Sequence, residues 1–295
     1  MKSLSTKEII TIGFLLFVAV NFSACNQSIV TPSGIDNIDS TQNENIIGGS
    51  VVATTDTISQ STIILLDTEK GGLCTGNIIA RNLILTAAHC TQKNPQKIIA
   101  VFSSKMPQSA EELKKMNWRR ILGGKTSPAW PLLTESKEKD WGDIAILKFE
   151  GEIPAGFKAI KLLSRKESIR TGMNITLAGF GITNGTQRTE TEALRKVNVK
   201  VANANYSSTE ILMDQRSGRG ACHGDSGGPA VIKIGKFDVL VGITSRGSKD
   251  PNDTCLQYSV YTSIAGNLQW IQKTAQEITS PEFISGAIAQ PSVLE

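Results

Sequence analysis

The sequence predicts an all-β molecule of two packed antiparallel β-barrels, with one helix near the carboxyl end. Short apolar runs alternate with polar turns at strand spacing, in two successive sets. Each set suits a barrel. Beyond them, Ile264, Leu268, Ile271, Ala275 and Ile278 fall at helical spacing.

Residues 1–24 read as an export signal. Lys2 and Lys7 give a basic start, and Ile9 to Val20 is an uncharged apolar run of twelve residues. A bilayer span takes about 20. Phe22-Ser23-Ala24-Cys25 resembles a bacterial lipoprotein cleavage site, with lipid carried on Cys25, although Phe22 stands where an aliphatic residue is usual. Ordinary cleavage near Ala24 is the alternative. Residues 25–45 are rich in Ser, Thr, Asn, Asp and Gln and predict a disordered tether or propeptide.

Barrel one is expected over residues 46–155, with strands at Thr62–Leu66, Gly76–Ile79, Leu83–Thr86, Ile98–Phe102 and Ile144–Phe149. Ser103 to Asp140 is longer than such a barrel needs. Glu111 to Arg120 has helical composition, and Lys114, Lys115, Arg119 and Arg120 make it basic. A solvated surface insertion is expected there, with a substrate-steering loop as the other reading. Barrel two is expected over 156–263, with strands at Asn174–Ala178, Leu194–Val201, Glu210–Met213, Ala230–Ile234, Val239–Thr244 and Val260–Thr262. The helix should span 264–278, and 279–295 form a tail.

Composition narrows the partners. The formal charge is +4, and +6 without residues 1–45, which leaves 29 basic and 23 acidic residues. That excess is too mild to argue for nucleic acid, and no basic block interleaves with aromatics. No cofactor is expected, and the chain is expected to be a monomer. Two distant histidines, with cysteines expected to be oxidised, give no zinc cluster; calcium, which loop carbonyls bind without a signature, stays open.

The chemistry centres on Cys222-His223-Gly224-Asp225-Ser226-Gly227-Gly228-Pro229. Glycines around Ser226 leave its hydroxyl accessible, and Gly224 lets two backbone N–H groups converge on one point. Alone, Gly224-x-Ser226-x-Gly228 also fits an α/β-hydrolase elbow or an idle turn. That elbow needs a histidine after the serine, and the only histidines are His89 and His223. His223 shares the serine's own turn, which leaves His89 as base. Asp143 is the acid that enters a fully apolar strand-like run, Ile144 to Leu147, and completes a triad.

Four motifs then stand in order: Ile46-Ile47-Gly48-Gly49, Thr86-Ala87-Ala88-His89-Cys90, Asp143-Ile144-Ala145-Ile146-Leu147 and Cys222 to Pro229. From Ile46 to about Ile278 the chain resembles the chymotrypsin–trypsin family of serine proteases. The resemblance implies peptide-bond hydrolysis of protein or peptide substrates. Ser226 would be nucleophile, His89 base and Asp143 its orienting acid, with an oxyanion hole from the N–H groups of Gly224 and Ser226. It implies the disulfides Cys74–Cys90 and Cys222–Cys255, each worth roughly 3–4 kcal/mol by loop entropy. Cys25 is the fifth cysteine, and lipidation would account for it. It also implies a zymogen: cleavage at Asn45/Ile46 would free an α-amine to pair with Asp225. Asn45 is not basic, so a trypsin-like activator is not expected. No cysteine lies between Cys25 and Cys74 to retain the leader, so activation would also release the enzyme from an anchor.

The family's specificity pocket maps onto Gly220 at the floor, Ser245 and Gly247 on the wall and Ser259 behind. Arg246 stands where tryptophan is more usual, and Ser259 where glycine is common. Without a carboxylate at 220, a buried guanidinium would go unpaired, so cleavage after apolar or small-to-medium residues is expected. Asp250 or Asp253 folding in would instead restore basic specificity. His223 is expected at the rim as a contact residue, or, with Arg246, as a binder of acidic side chains. Location is expected to be exported: a bacterial cell-envelope lipoprotein, or secreted after processing. A non-catalytic surface binding module on the same fold is the competing function, and a zymogen inert until a partner enters its pocket is a third.

Overall fold

The computed structural model describes residues 46–91, 94–130, 139–165 and 168–280, all within a compact unit that begins at Asn43. The expected signal, tether, lipidated Cys25 and residues 281–295 of the tail lie outside the described residues. Among those described, no helix is long and apolar enough to cross a membrane.

In chain order the elements are β1 (Ser50–Val51), β2 (Thr62–Asp67), β3 (Leu73–Ala80), β4 (Leu83–Thr86), β5 (Ile98–Val101), α1 (Ala110–Lys115), β6 (Trp118–Thr126), β7 (Ala145–Phe149), β8 (Lys161–Leu162), β9 (Asn174–Gly179), β10 (Arg195–Asn203), β11 (Glu210–Asp214), β12 (Pro229–Ile234), β13 (Phe237–Gly247), β14 (Tyr258–Ser263) and α2 (Leu268–Thr279). Strands β2-β3-β4-β7-β6-β5 close an antiparallel barrel. Strands β9-β10-β11-β14-β13-β12 close a second one, with β12 returning to β9 at Ala230↔Leu177.

Strand alternation explains the packing. Successive side chains point to opposite faces, so β7 sends Leu147 and Phe149 into its own barrel. Ile146, like Ile144 just before the strand, joins the apolar layer that also holds Phe180, Leu240 and Ile243 of the second half. A strand buried on both faces has to be apolar throughout. That is why the Ile144–Phe149 run is legible, and why an acid at its entrance is conspicuous. Helix α2 buries Ile271 and Ile278 in the same layer. It lies on the first barrel, where Lys148 Nζ donates to the Ile278 carbonyl (3.1 Å) and Lys125 pairs with Glu277 (2.7 Å).

Two expectations need correction. Glu111 to Arg120 is not one helix: α1 ends at Lys115, and Trp118 opens β6, the sixth strand of barrel one. Only Ile121 of β6 is buried, and two glycines weaken its strand signal. Gly124 is needed there, because a Cβ would stand 2.6 Å from Leu147 Cδ2 and 2.7 Å from the Ile146 carbonyl. Residues 46–51, expected in barrel one, attach instead to the second: Ser50 pairs with Lys196, Ile47 bridges Gly220, and the Ile46 side chain is buried in that barrel's core. Pairing across so long a stretch of chain leaves no local pattern to read.

Candidate active site

His89 sits in a 3-10 turn, Ala88–Cys90, just after β4. The Cys74–Cys90 disulfide ties that turn to β3. Asp143 lies just before β7 and is held from four sides. The His89 N–H donates to its Oδ1 (3.0 Å), and His89 Nδ1 is 2.8 Å from its Oδ2. Ser245 Oγ donates to Oδ2 at 2.6 Å, and Thr262 Oγ1 to the Asp143 carbonyl at 2.9 Å. The carboxylate side chain is 1% exposed and the imidazole 32%. Burial opposes the imidazolium, but the hydrogen bond and charge of Asp143 outweigh it and hold His89 above its ordinary 6.5.

Ser245 was expected only in the pocket wall. It reaches Asp143 because the β13–β14 register shifts between Thr244 and Arg246, and the unpaired residue of such a bulge is re-aimed.

Ser226 stands on a turn clamped between the barrels. Its carbonyl accepts from the Thr75 N–H of β3 (2.8 Å), the Gly227 carbonyl from Asn77 Nδ2 (2.7 Å), and the Gly227 N–H donates to the Thr244 carbonyl of β13 (2.8 Å). Residue 227 must be glycine: its φ is +77°, and a Cβ would meet Thr86 Oγ1 at 2.1 Å. Thr75 neighbours Cys74, whose disulfide carries His89, so the serine and imidazole are brought to one seam. Among the described residues Ser226 Oγ has no hydrogen-bond partner. The His223 carbonyl accepts from the Ile182 N–H (2.8 Å). In a planar trans peptide the Gly224 N–H then points the opposite way.

Asp225 is wholly buried. Its carboxyl accepts from the N–H groups of Gly181 and Cys222, both at 2.8 Å, and burial pushes its pKa up to about 7 against those two hydrogen bonds. Ile46 is buried in the same barrel, with φ +41°, a rare conformation for a β-branched residue.

The pocket beside Ser226 has a volume of ≈ 230 Å³, and Ser245, Gly247 and Ser259 are among the residues that line it. Gly220 does not line it. The carboxamide of Gln215 lies where a side chain at 220 would go, and a Cβ there would come within 2.1 Å of Gln215 Cδ. Gln215 was missed because Asp214-Gln215-Arg216-Ser217-Gly218 reads as an exposed turn. The Cys222–Cys255 disulfide braces the wall.

Arg246 and His223 do not form a cationic rim. The Arg246 guanidinium pairs with the buried Glu210 carboxylate (2.7 and 3.1 Å) and stacks on Trp141, 4.2 Å from the ring centre. His223 is bound to Asp253 (2.9 Å), which also pairs with Arg188 (2.5 Å). Asp253 is thereby held at the rim, and Asp250 by the Thr254 N–H and hydroxyl (2.8 and 2.5 Å); neither carboxylate reaches the floor. Two Cys–His groupings, Cys74/His89/Cys90 and Cys222/His223/Cys255, have metal-like proximity, but their sulfurs are disulfide-bonded and are not thiolate ligands. Such disulfides form in oxidising compartments, in keeping with export.

The trypsin family model matches residues 46–271. The chain is 31% identical to a chymotrypsin of Phaedon cochleariae, over 69% of this chain and 72% of that protein. It is 28% identical to granzyme M of Rattus norvegicus, over 73% and 84% of the two chains. It is also 28% identical to glucanase inhibitor protein 1 of Phytophthora infestans, over 77% and 86%. With two closed barrels, a carboxyl-terminal helix and this match over most of its length, the chain belongs to the chymotrypsin/trypsin-like family of serine proteases and is a serine endopeptidase of that kind.

Proposed function

We propose that the chain hydrolyses peptide bonds through Ser226, His89 and Asp143. Ser226 Oγ attacks the substrate carbonyl, His89 takes its proton and returns it to the leaving amine, and Asp143 fixes the imidazole tautomer and balances its charge. The N–H groups of Gly224 and Ser226 hold the oxyanion; losing one such donor typically costs about 3–4 kcal/mol of transition-state stabilisation. The observation that carries this reading is the buried Asp143 carboxylate, 2.8 Å from His89 Nδ1 with Ser245 as its further donor. Catalytic hydrogen bonds often tighten only on substrate binding, so contact between the serine hydroxyl and its base is expected in the substrate complex.

The enzyme is made as a zymogen in this reading. Cleavage at Asn45/Ile46 supplies an ammonium to the buried Asp225 carboxyl and lets Ile46 leave a constrained backbone conformation, worth of order 1–3 kcal/mol. The chain acts as a monomer, is exported, is tethered through Cys25 before cleavage, and cuts after apolar or small-to-medium residues. Mass spectrometry of the intact precursor tests the anchor: a diacylglycerol mass on Cys25 is expected, and an unmodified chain starting near Cys25 or Asn26 excludes it.

The relative named as a glucanase inhibitor favours one other reading, a surface binding module on the protease fold. A serine-directed organophosphate separates the two. Labelling of Ser226 in protein that begins at Ile46, and none in Ser226→Ala, is expected. An unlabelled Ser226 in that processed form would leave the binding module standing.

A further inference from the structure

We infer that Gln215, rather than residue 220, forms the floor of the specificity pocket and makes it select uncharged apolar side chains. The inference rests on the proteolytic reading above and names the residue behind its preference.

Gln215 is 1% exposed and contributes its side chain to the pocket lining together with Ala221 and Ser259. Its carboxamide has two acceptor sites and two donor hydrogens. Oε1 accepts from the Ala221 N–H and the Ser259 hydroxyl, both at 2.7 Å. Nε2 donates to the carbonyls of Ala221 (3.0 Å) and Cys255 (2.6 Å). All four capacities are filled by the protein itself. The amide therefore has no lone pair left for a substrate ammonium or guanidinium and no hydrogen left for a substrate carboxylate. A floor made of satisfied polar atoms acts on the substrate as an uncharged surface.

Nothing nearby compensates. Asp250 and Asp253 border the pocket, but each is engaged at the rim, Asp250 by Thr254 and Asn252 and Asp253 by His223 and Arg188. A lysine or arginine side chain reaching the floor would shed water and meet no carboxylate at Gln215, Ala221 or Ser259, which is costly. Leucine, methionine or phenylalanine would lose nothing. Because a Cβ at 220 would collide with Gln215, an acid at 220 alone cannot supply the missing charge.

The test uses the processed full chain, with active sites counted by titration, and peptide amides that differ only in the residue before the scissile bond. Wild-type kcat/KM is expected to favour Leu, Met or Phe over Arg and Lys by at least about 100-fold. Gln215→Glu, which keeps the shape and adds a charge, is expected to narrow that ratio at least about 10-fold by raising Arg and Lys. The ratio is internal to each enzyme, so a partly folded preparation does not move it. A wild-type preference for Arg or Lys overturns the inference, and so does a folded Gln215→Glu enzyme with an unchanged ratio. Should Gln215→Glu not fold, the wild-type profile decides alone. Should no active site titrate, calorimetry with benzamidine and benzamide reads the floor without turnover. Wild type that binds benzamidine no better than benzamide upholds the floor while the hydrolytic reading falls; tight binding of benzamidine by wild type removes both.

Discussion

Asp225→Asn should remove a pH-dependent instability that exists only before cleavage at Ile46. In the uncleaved chain the buried carboxyl titrates at about 7 rather than its ordinary 3.8. Its folded-state pKa is raised, so the folded chain holds a proton that the unfolded chain releases. The stability it contributes is full below about pH 3.8 and is lost as pH rises through about 7. The difference of about three pKa units corresponds to roughly 4 kcal/mol, and RT-scaled linkage gives the slope directly. Cleavage would place the Ile46 ammonium beside the carboxylate, stabilise the charged form and abolish this slope. The assay is urea denaturation between pH 4 and 8.5, on a Ser226→Ala background that cannot digest itself. The uncleaved chain should lose on the order of 4 kcal/mol more across this range than either its Asp225→Asn variant or the chain beginning at Ile46. Asparagine cannot accept from both Gly181 and Cys222 as the carboxylate does, so the variant starts from a lower baseline; the slope, not the baseline, is the readout. Equal slopes in the uncleaved chain and Asp225→Asn would refute the reasoning.

Two further predictions follow from the same contacts. Because Asp143 holds His89 above 6.5, kcat/KM should rise with pH through a limb centred above 6.5, and Asp143→Asn should move that limb downward as well as lower the rate; a limb unmoved by the substitution contradicts the assignment. Arg246→Ala should destabilise the fold by about 3–5 kcal/mol by leaving the Glu210 carboxylate buried and unpaired, and adding Glu210→Gln should recover much of it; a loss under about 1 kcal/mol in urea denaturation argues that water reaches Glu210.

What could be read from the sequence was what local pattern carries. Asp143 stood out because β7 is apolar on both faces, and Ser226 because glycines crowd its turn. His89 followed from there being only two histidines. Partners of buried polar groups were not legible. Arg246 reads as a rim cation until Glu210, 36 residues away, is found opposite it. Gln215 reads as a surface turn until Ser259, 44 residues on, closes over its amide. β6 and β1 were hidden for a related reason: their ladders are set by distant strands while their own side chains stay largely exposed. Position in a strand pattern is a property of the segment. Satisfaction of a buried polar atom is a property of the assembled fold.

That distinction bears on how the two barrels make one site. Asp143 belongs to the first barrel but is oriented by Ser245 and Thr262 of the second. Ser226 belongs to the second but its turn is pinned by Thr75 and Asn77 of the first. Two of the three proposed catalytic groups, Asp143 and Ser226, are thus held in part by the barrel they do not belong to, while His89 is held within the first. The carboxyl-terminal helix and the amino-terminal strand reinforce the exchange, α2 lying on barrel one and β1 on barrel two. A small slip between the barrels would leave both cores packed while pulling donors away from Asp143 and Ser226, and near-attack geometry tolerates little displacement. The contacts across the seam, Ser245 and Thr262 on Asp143 and Asn77 on the Ser226 turn, therefore bear on activity more directly than on the packing of either core.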